Sequence, residues 1–258
     1  MSTERASAIR LAWRQVGRSR RDGSAWILLI ALVVAVAAVG AVSQMTDRVR
    51  AGMERQGAAT LAADLELELR APLDDARAAT LDEIGVAHHG VTVFPSVVSR
   101  DDDITLVSVK AVEPGYPLRG EVTLRRGGPG SPTKTVTTAP EPGTAWVAQR
   151  ILDAQQLNVG DTLALGDARL KIAAVLVIEP DRGQGFANIA PRVLISDADV
   201  AATGLLGPGS RASYDERIAG EPAALEQVRE RLEPTLQPGE QLRTPAESNR
   251  ALARALDR

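Results

Sequence analysis

Two adjacent histidines, His88 and His89, are the only imidazoles in the chain, and there is no cysteine. Neighbouring residues on a strand point to opposite faces, so this pair is not expected to chelate one ion. Thiolate ligation and disulfides are excluded by composition. Asp101-Asp102-Asp103 offers carboxylate oxygens of the kind hard cations prefer, but three aspartates between two apolar runs read as a solvated turn. The run "RRGGPGSP" is rich in glycine yet lacks the Gly-Lys-Ser/Thr ending that sets a lysine on a phosphate. No Gly-x-Ser-x-Gly elbow occurs. "DRGQGFAN", Asp181 to Asn188, is a loop that could touch a ligand, with a plain connection as the competing reading. No nucleophile, base and oxyanion donor group together, and the chain is not expected to be an enzyme.

The elements that would position such residues begin with a charge-free run of about 20 residues, Ser24 to Ser43. As a helix rising about 1.5 Å per residue it is long enough for a hydrocarbon core of about 30 Å. A cleaved signal peptide is the alternative, but its apolar region is normally about 7–15 residues. Arg5, Arg10, Arg14, Arg18, Arg20 and Arg21 precede the run. Basic residues favour the cytoplasmic side, so the N-terminus is expected inside and the bulk of the chain outside. The same arginines, with Ile9, Trp13 and Val16 at helical spacing, read equally as an amphipathic helix lying on the inner membrane surface and as a plain topogenic flank. Either way the arginines face lipid, not nucleic acid, and Trp26 is an interfacial anchor candidate. Arg10, Trp13, Arg14, Arg18, Arg20, Arg21 and Trp26 make up the expected membrane interface.

After the apolar run, Met45, Val49 and Met53 recur at i, i+4 and i+8 among charged residues. This is a narrow apolar stripe on a continuing helix, suited to a partner helix rather than a core. From Asp64 the period changes. "DLELELR" alternates as a half-buried antiparallel strand, and "PLDDARAATLDEIG" reads as a helix stopped by Gly85. Strand-like runs follow around the Asp101–Asp103 turn, on both sides of Gly127–Pro132, before the helix in "TAWVAQRILDAQQLN", and in a hairpin turning at Gly166-Asp167. Further strands are expected in "RVLIS" and "SRASYDERIAG". Amphipathic helices are expected in "EPAALEQVRERLEPTL", with Leu225, Val228 and Leu232 inward, and in "ESNRALARALDR", with Leu252 and Leu256 inward. Many strands with few helices predict an α+β fold. Gly127–Pro132 and Pro180–Pro191 are the candidate seams, and no internal repeat is present.

Taken in order, several segments resemble the FtsX-like ABC transporter permeases, particularly their YbbP-like branch. They are "LAWRQVGRSRRDGSAWILLIALVVAVAAVGAV", "TDRVRAGMERQGAATLAADLELELRAPL", "VKAVEPGYPLRGEVTL" and "APRVLISDADVAATGLLGPGSRASY". The resemblance implies a MacB-like periplasmic core domain on a stalk, inserted between the first and second membrane helices. It implies a cytoplasmic ABC ATPase as partner, with ATP and magnesium bound there and no cofactor in this chain. A second permease chain or an extracytoplasmic protein is a further implied partner, and hydrophobic or amphiphilic molecules are the implied cargo. The expected layout is a cytoplasmic basic helix at 1–22, a membrane helix at 23–43, a stalk at 44–62, a periplasmic core at 63–245 and the start of a return helix at 246–258. Such permeases have at least four membrane helices and this chain has one apolar run, so an N-terminal fragment or a truncated product is expected. "YDER", Tyr214–Arg217, is more acidic than the resemblance leads one to expect. A single-pass anchored binding or sensory module is the alternative reading.

Overall fold

The structure is a computed structural model that describes residues 26–27, 29–38, 40, 44–45, 62–100, 103–182, 189–207, 209–244 and 247. The chain divides into two units, 1–53 and 54–258. In the first, all described residues are helical, and their apolar side chains are exposed. Among the described residues no helix is long and apolar enough to cross a membrane. The expected surface helix at 1–22, most of the stalk at 44–62 and nearly all of the terminal helix at 246–258 lie outside the described residues.

The second unit is a mixed α/β fold around one large sheet. Its elements are β1 (Leu65–Leu69), α1 (Asp75–Ile84), β2 (Ala87–Arg100), β3 (Asp103–Val112), β4 (Val122–Arg125), β5 (Thr133–Val136) and β6 (Thr144–Ala148). They continue with α2 (Gln149–Gln155), β7 (Thr162–Leu165), β8 (Ala168–Ile178), β9 (Arg192–Ser196), α3 (Val200–Thr203), β10 (Ser213–Ala219), α4 (Pro222–Leu232) and β11 (Gln241–Arg243). The strand order is β11-β1-β10-β2-β3-β9-β6-β8-β4-β5, with β7 beside β8. Two pairings are parallel, β3 with β9 and β6 with β8; the others are antiparallel.

The alternation in β1 divides the sheet into two environments. Leu65, Leu67 and Leu69 face Leu81 of α1 and Val228 and Leu232 of α4 in one apolar cluster. Burying each such side chain stabilises by about 1.5–3 kcal/mol. Leu225 packs partly buried against the same cluster. Helix α1 begins where the Asp74 side chain accepts from the Arg77 amide, and it ends at Gly85, whose φ of 78° allows its N–H to return to the last turn. A second cluster, around Phe94, Val109, Val147, Ile151 and Ile172, sits under α2 and β7. A third, around Val91, Tyr116, Val122, Trp146 and Leu194, lies on the sheet's opposite face.

The loop 127–132 joins the paired strands β4 and β5, so it is a hairpin connection rather than a seam. The chain comes in at β1 and leaves at β11, where Glu66 pairs with Arg243. Leu65 is level with His88 through Ile218. The β2–β3 hairpin runs from there to Arg100 and Asp103 at the opposite end, roughly 40 Å away at ~3.3 Å per residue.

Candidate functional site: a buried ionic network

The face of the sheet opposite the helices carries charges in its interior. Lys110 on β3 pairs with Val93 and Leu194, and Ser108, two residues back, pairs with Arg192 of β9. Period-2 geometry sends Ser108, Lys110 and Arg192 to the same face. There they meet the segment that follows β8. Lys110 Nζ lies 2.9 Å from Glu179 Oε1 and 2.6 Å from Asp181 Oδ1. Tyr116 donates its hydroxyl to the same Asp181 oxygen at 2.7 Å, and its ring lies 4.6 Å beneath the lysine ammonium. Arg192 donates through Nε to Glu179 Oε2 at 3.0 Å, through Nη1 to Ser108 Oγ at 2.6 Å, and through Nη2 to the Arg182 carbonyl. The side chains of Lys110, Arg192, Glu179 and Asp181 are each at most 2% exposed.

Arg217 of β10 extends the network toward β1. Its Nη1 stands 2.6 Å from Glu66 Oε1 as an ion pair off the N–H direction, and its Nε is 3.8 Å from Asp181 Oδ2. Cations and carboxylates thus alternate across the sheet, which is what permits charges to be buried at all. Burial opposes ionisation of Asp181, but the Lys110 and Arg217 charges and the bonds from Lys110 and Tyr116 outweigh it and hold the carboxyl below its usual range. Burial pushes Asp215 up to about 7, with Glu66 and Glu68 adding to the effect against Arg217. Tyr116 is pushed well above its ordinary value, first by burial and then by the nearby carboxylates. His89 packs edge-on to Tyr116 at 5.6 Å, and neither ring nitrogen has a hydrogen-bond partner. Burial, reinforced by Lys110 and Arg217, lowers its pKa to about 4.

His88 points to the other face, as strand geometry requires. Its Nδ1 lies 2.6 Å from Glu216 Oε1, and its Nε2 lies 3.3 Å from Asp82 of α1. The Glu216 hydrogen bond raises the His88 pKa against the effect of burial. The two histidines therefore share no site. Among the described residues no group of three or more His, Asp or Glu side chains is arranged to hold a metal ion.

The network's chemistry is that of a lock. The Lys110 ammonium is engaged by two carboxylates and a phenol, so it is held as a structural cation rather than as a free amine. Its effect is to pin residues 179–182, the strap between β8 and β9, across the sheet. Asp181 lies in a turn between β8 and β9, as the loop reading expects, but its side chain is buried in the network's centre; residues 183–188 lie outside the described residues. "YDER" falls within β10, and each of its four residues is paired on both sides, with β1 and with β2. Its Glu216 turns to His88 and its Arg217 to Glu66, and both are buried, while Tyr214 and Asp215 are half-buried. The signal for the network was charge inside strand-like runs: Lys110 alone in "ITLVSVKAV", Arg192 alone in "RVLIS", and Arg217 closing the charged triplet of "SYDERIA".

Of the residues expected at the membrane interface, Trp26 is helical and exposed, and so is Met45 of the expected stalk face. Arg10, Trp13, Arg14, Arg18, Arg20, Arg21, Val49 and Met53 lie outside the described residues, as do Asp101 and Asp102. Asp103 is exposed at the start of β3. The tip of the β2–β3 hairpin carries exposed apolar residues on the network's face: Val97, Leu106 and Ile104, the last 73% exposed.

No protein-family model matches the chain. The chain is 30% identical over 241 residues to an uncharacterized ABC transporter permease of Escherichia coli strain K12, YbbP. The match covers 93% of this chain and 29% of that protein, so the chain spans about three-tenths of its curated relative's length. The matched stretch is longer than the β-sheet unit, 54–258, so the similarity is not confined to that unit. Across nearly all of its length, this chain is a relative of the YbbP-type ABC transporter permeases.

Proposed function

We propose that the chain is the N-terminal portion of an ABC permease subunit. In this reading residues 23–43 span the membrane with the arginine flank inside. Residues 44–62 form a stalk, residues 63–245 are an extracytoplasmic core domain, and residues 246–258 begin the return to the bilayer. ATP binding and hydrolysis occur on a separate cytoplasmic ATPase. The resulting movement reaches the outer domain through the stalk and drives export or extraction of a hydrophobic or amphiphilic substrate. The carrying observation is the similarity to the E. coli permease over 93% of the chain. The placement of β1 and β11 side by side supports it, since a domain held between consecutive spans must receive and return the chain at one end. The network supports it too, because a body that transmits displacement must resist shear, and charge pairs desolvated on every side have few alternative arrangements.

The chain has no cysteine, which makes the topology directly testable. A single cysteine replacing Asp101 or Lys134 is expected to react with a membrane-impermeant maleimide in spheroplasts. Labelling only after lysis would end this reading. Copurification of the chain with an ATPase encoded beside it is the second expectation.

A further inference from the structure

We propose that the loop Gly115–Arg119 is a rigid coupling element that ties the point where the chain joins the sheet, Ala62–Asp64, to the ionic network that holds the strap before β9. The proposal rests on the permease reading, in which displacement arrives through the segment before Ala62. Its structural basis is independent of that reading.

At one end of the loop, Arg119 grips the incoming chain at several points. Its amide donates to the Ala62 carbonyl at 2.9 Å. Its guanidinium spans the Asp64 carboxylate, Nε to Oδ1 at 3.2 Å and Nη2 to Oδ2 at 2.7 Å. The Gly220 amide donates to the same Oδ2 at 3.1 Å, and the Asp64 amide donates to the Ile218 carbonyl at 2.9 Å. An exposed ion pair alone contributes little. Here a two-point guanidinium contact joins backbone bonds from two other segments, and together they fix geometry. Ala62 and Ala63 are fully buried, and Ala62 holds a φ of 59°, an unusual conformation for a residue with a side chain. A free linker would not sustain either feature; a clamped joint does.

The loop's other end is Tyr116, fully buried, whose hydroxyl reaches Asp181 at 2.7 Å and Lys110 at 3.3 Å. Ala62 and Tyr116 belong to one apolar cluster with Val91 and Trp146. The joint and the strap are therefore connected by the short segment Tyr116–Arg119 and by direct packing. A shift at Ala62 has no soft element to dissipate it before Asp181.

The test is amide hydrogen exchange, read by mass spectrometry on the full chain in detergent, for the wild type, Arg119→Ala and Tyr116→Phe. The reporters are the Asp64 and Gly220 amides at the joint and the Ser108 amide, which bonds to the Pro191 carbonyl at 3.0 Å beside the strap. Coupling predicts that each variant speeds exchange at both ends, by about tenfold at the distant one beyond any change at the amides of the β4–β5 hairpin, which read the global loss of stability. Loosening confined to the substituted end, or none, overturns the proposal. If Arg119→Ala does not fold, Arg119→Lys, which keeps the charge and loses the two-point grip, is read at the same amides, and unchanged exchange at Ser108 counts against the coupling. Exchange reports the joint whatever the chain's topology, so this result and the maleimide result fail separately.

Discussion

The Tyr116 hydroxyl and the Asp181 carboxylate meet at 2.7 Å although 65 residues separate them in sequence, and Lys110 completes the contact at 2.6 Å. The two partners of Asp181 should differ in weight. Tyr116→Phe removes one hydrogen bond and leaves the charges compensated, with an expected loss of about 1–2 kcal/mol. Lys110→Met strands Glu179 and Asp181 against fewer cations, and about 3–5 kcal/mol is expected. Urea unfolding followed by circular dichroism measures both, and equal losses would contradict the ranking.

His89 predicts acid sensitivity. Its folded pKa of about 4 lies below the ordinary 6.5. The unfolded chain therefore takes up a proton between those values that the folded chain refuses, and stability falls as pH drops through this window. Up to about 3 kcal/mol is at stake. His89→Phe should flatten the loss, since the ring packs edge-on to Tyr116 and gives up no hydrogen bond. Melting temperatures at pH 4.5 and 7.5 decide it: the wild type should drop more than the variant.

Asp215 acts with the opposite sign. Its folded pKa of about 7 exceeds the ordinary 3.8, so the folded protein holds a proton that the unfolded chain releases in between. Its contribution is largest in acid and is lost as pH rises toward 7. Asp215→Asn keeps the neutral form at every pH and should stabilise the protein at pH 8, by on the order of 2 kcal/mol, with little change at pH 4. A variant that melts no higher than wild type at pH 8 would show that Arg217 depends on the charged carboxylate.

Local signals carried most of the fold. The Leu-Glu alternation of β1, the Asp74 and Gly85 boundaries of α1 and the hairpin at Gly166-Asp167 each depend on residues a few positions apart, and each appears where its pattern placed it. The network did not announce itself in this way. Its members come from positions 66, 110, 116, 179, 181, 192 and 217, and their pairing depends on strand order, which no local period encodes. Asp181 illustrates the gap: its neighbours are those of a loop, and only the fold sets it opposite Lys110. The expected surface helix at 1–22, most of the stalk at 44–62 and nearly all of the return helix at 246–258 lie outside the described residues.

The Gly166 turn offers a backbone test. Its φ is +57°, and an added Cβ would collide with the Thr203 carbonyl oxygen and crowd Leu205. The Asp167 amide donates to that same carbonyl at 2.9 Å, which holds the turn close to α3. Gly166→Ala should therefore destabilise by about 2 kcal/mol or more. A melting temperature within a degree of wild type would mean that the α3 segment moves aside freely.

The stalk stripe has its own test. If Met45, Val49 and Met53 form a contact face, Val49→Lys should lower the yield of disulfide cross-links between cysteines introduced at Met45 in paired chains. An unchanged yield would remove the stripe from the interface.

Glu66 and Arg243 are paired neighbours on adjacent strands, so the polypeptide crosses into and out of the sheet unit through a gap of about 5 Å. A body with such closely spaced ends can be spliced into a host chain, or cut out and replaced by a short bridge, while the flanking segments keep their mutual distance. Diversification of the distal hairpin, from Pro95 to Leu106, can then proceed without disturbing whatever anchors the unit.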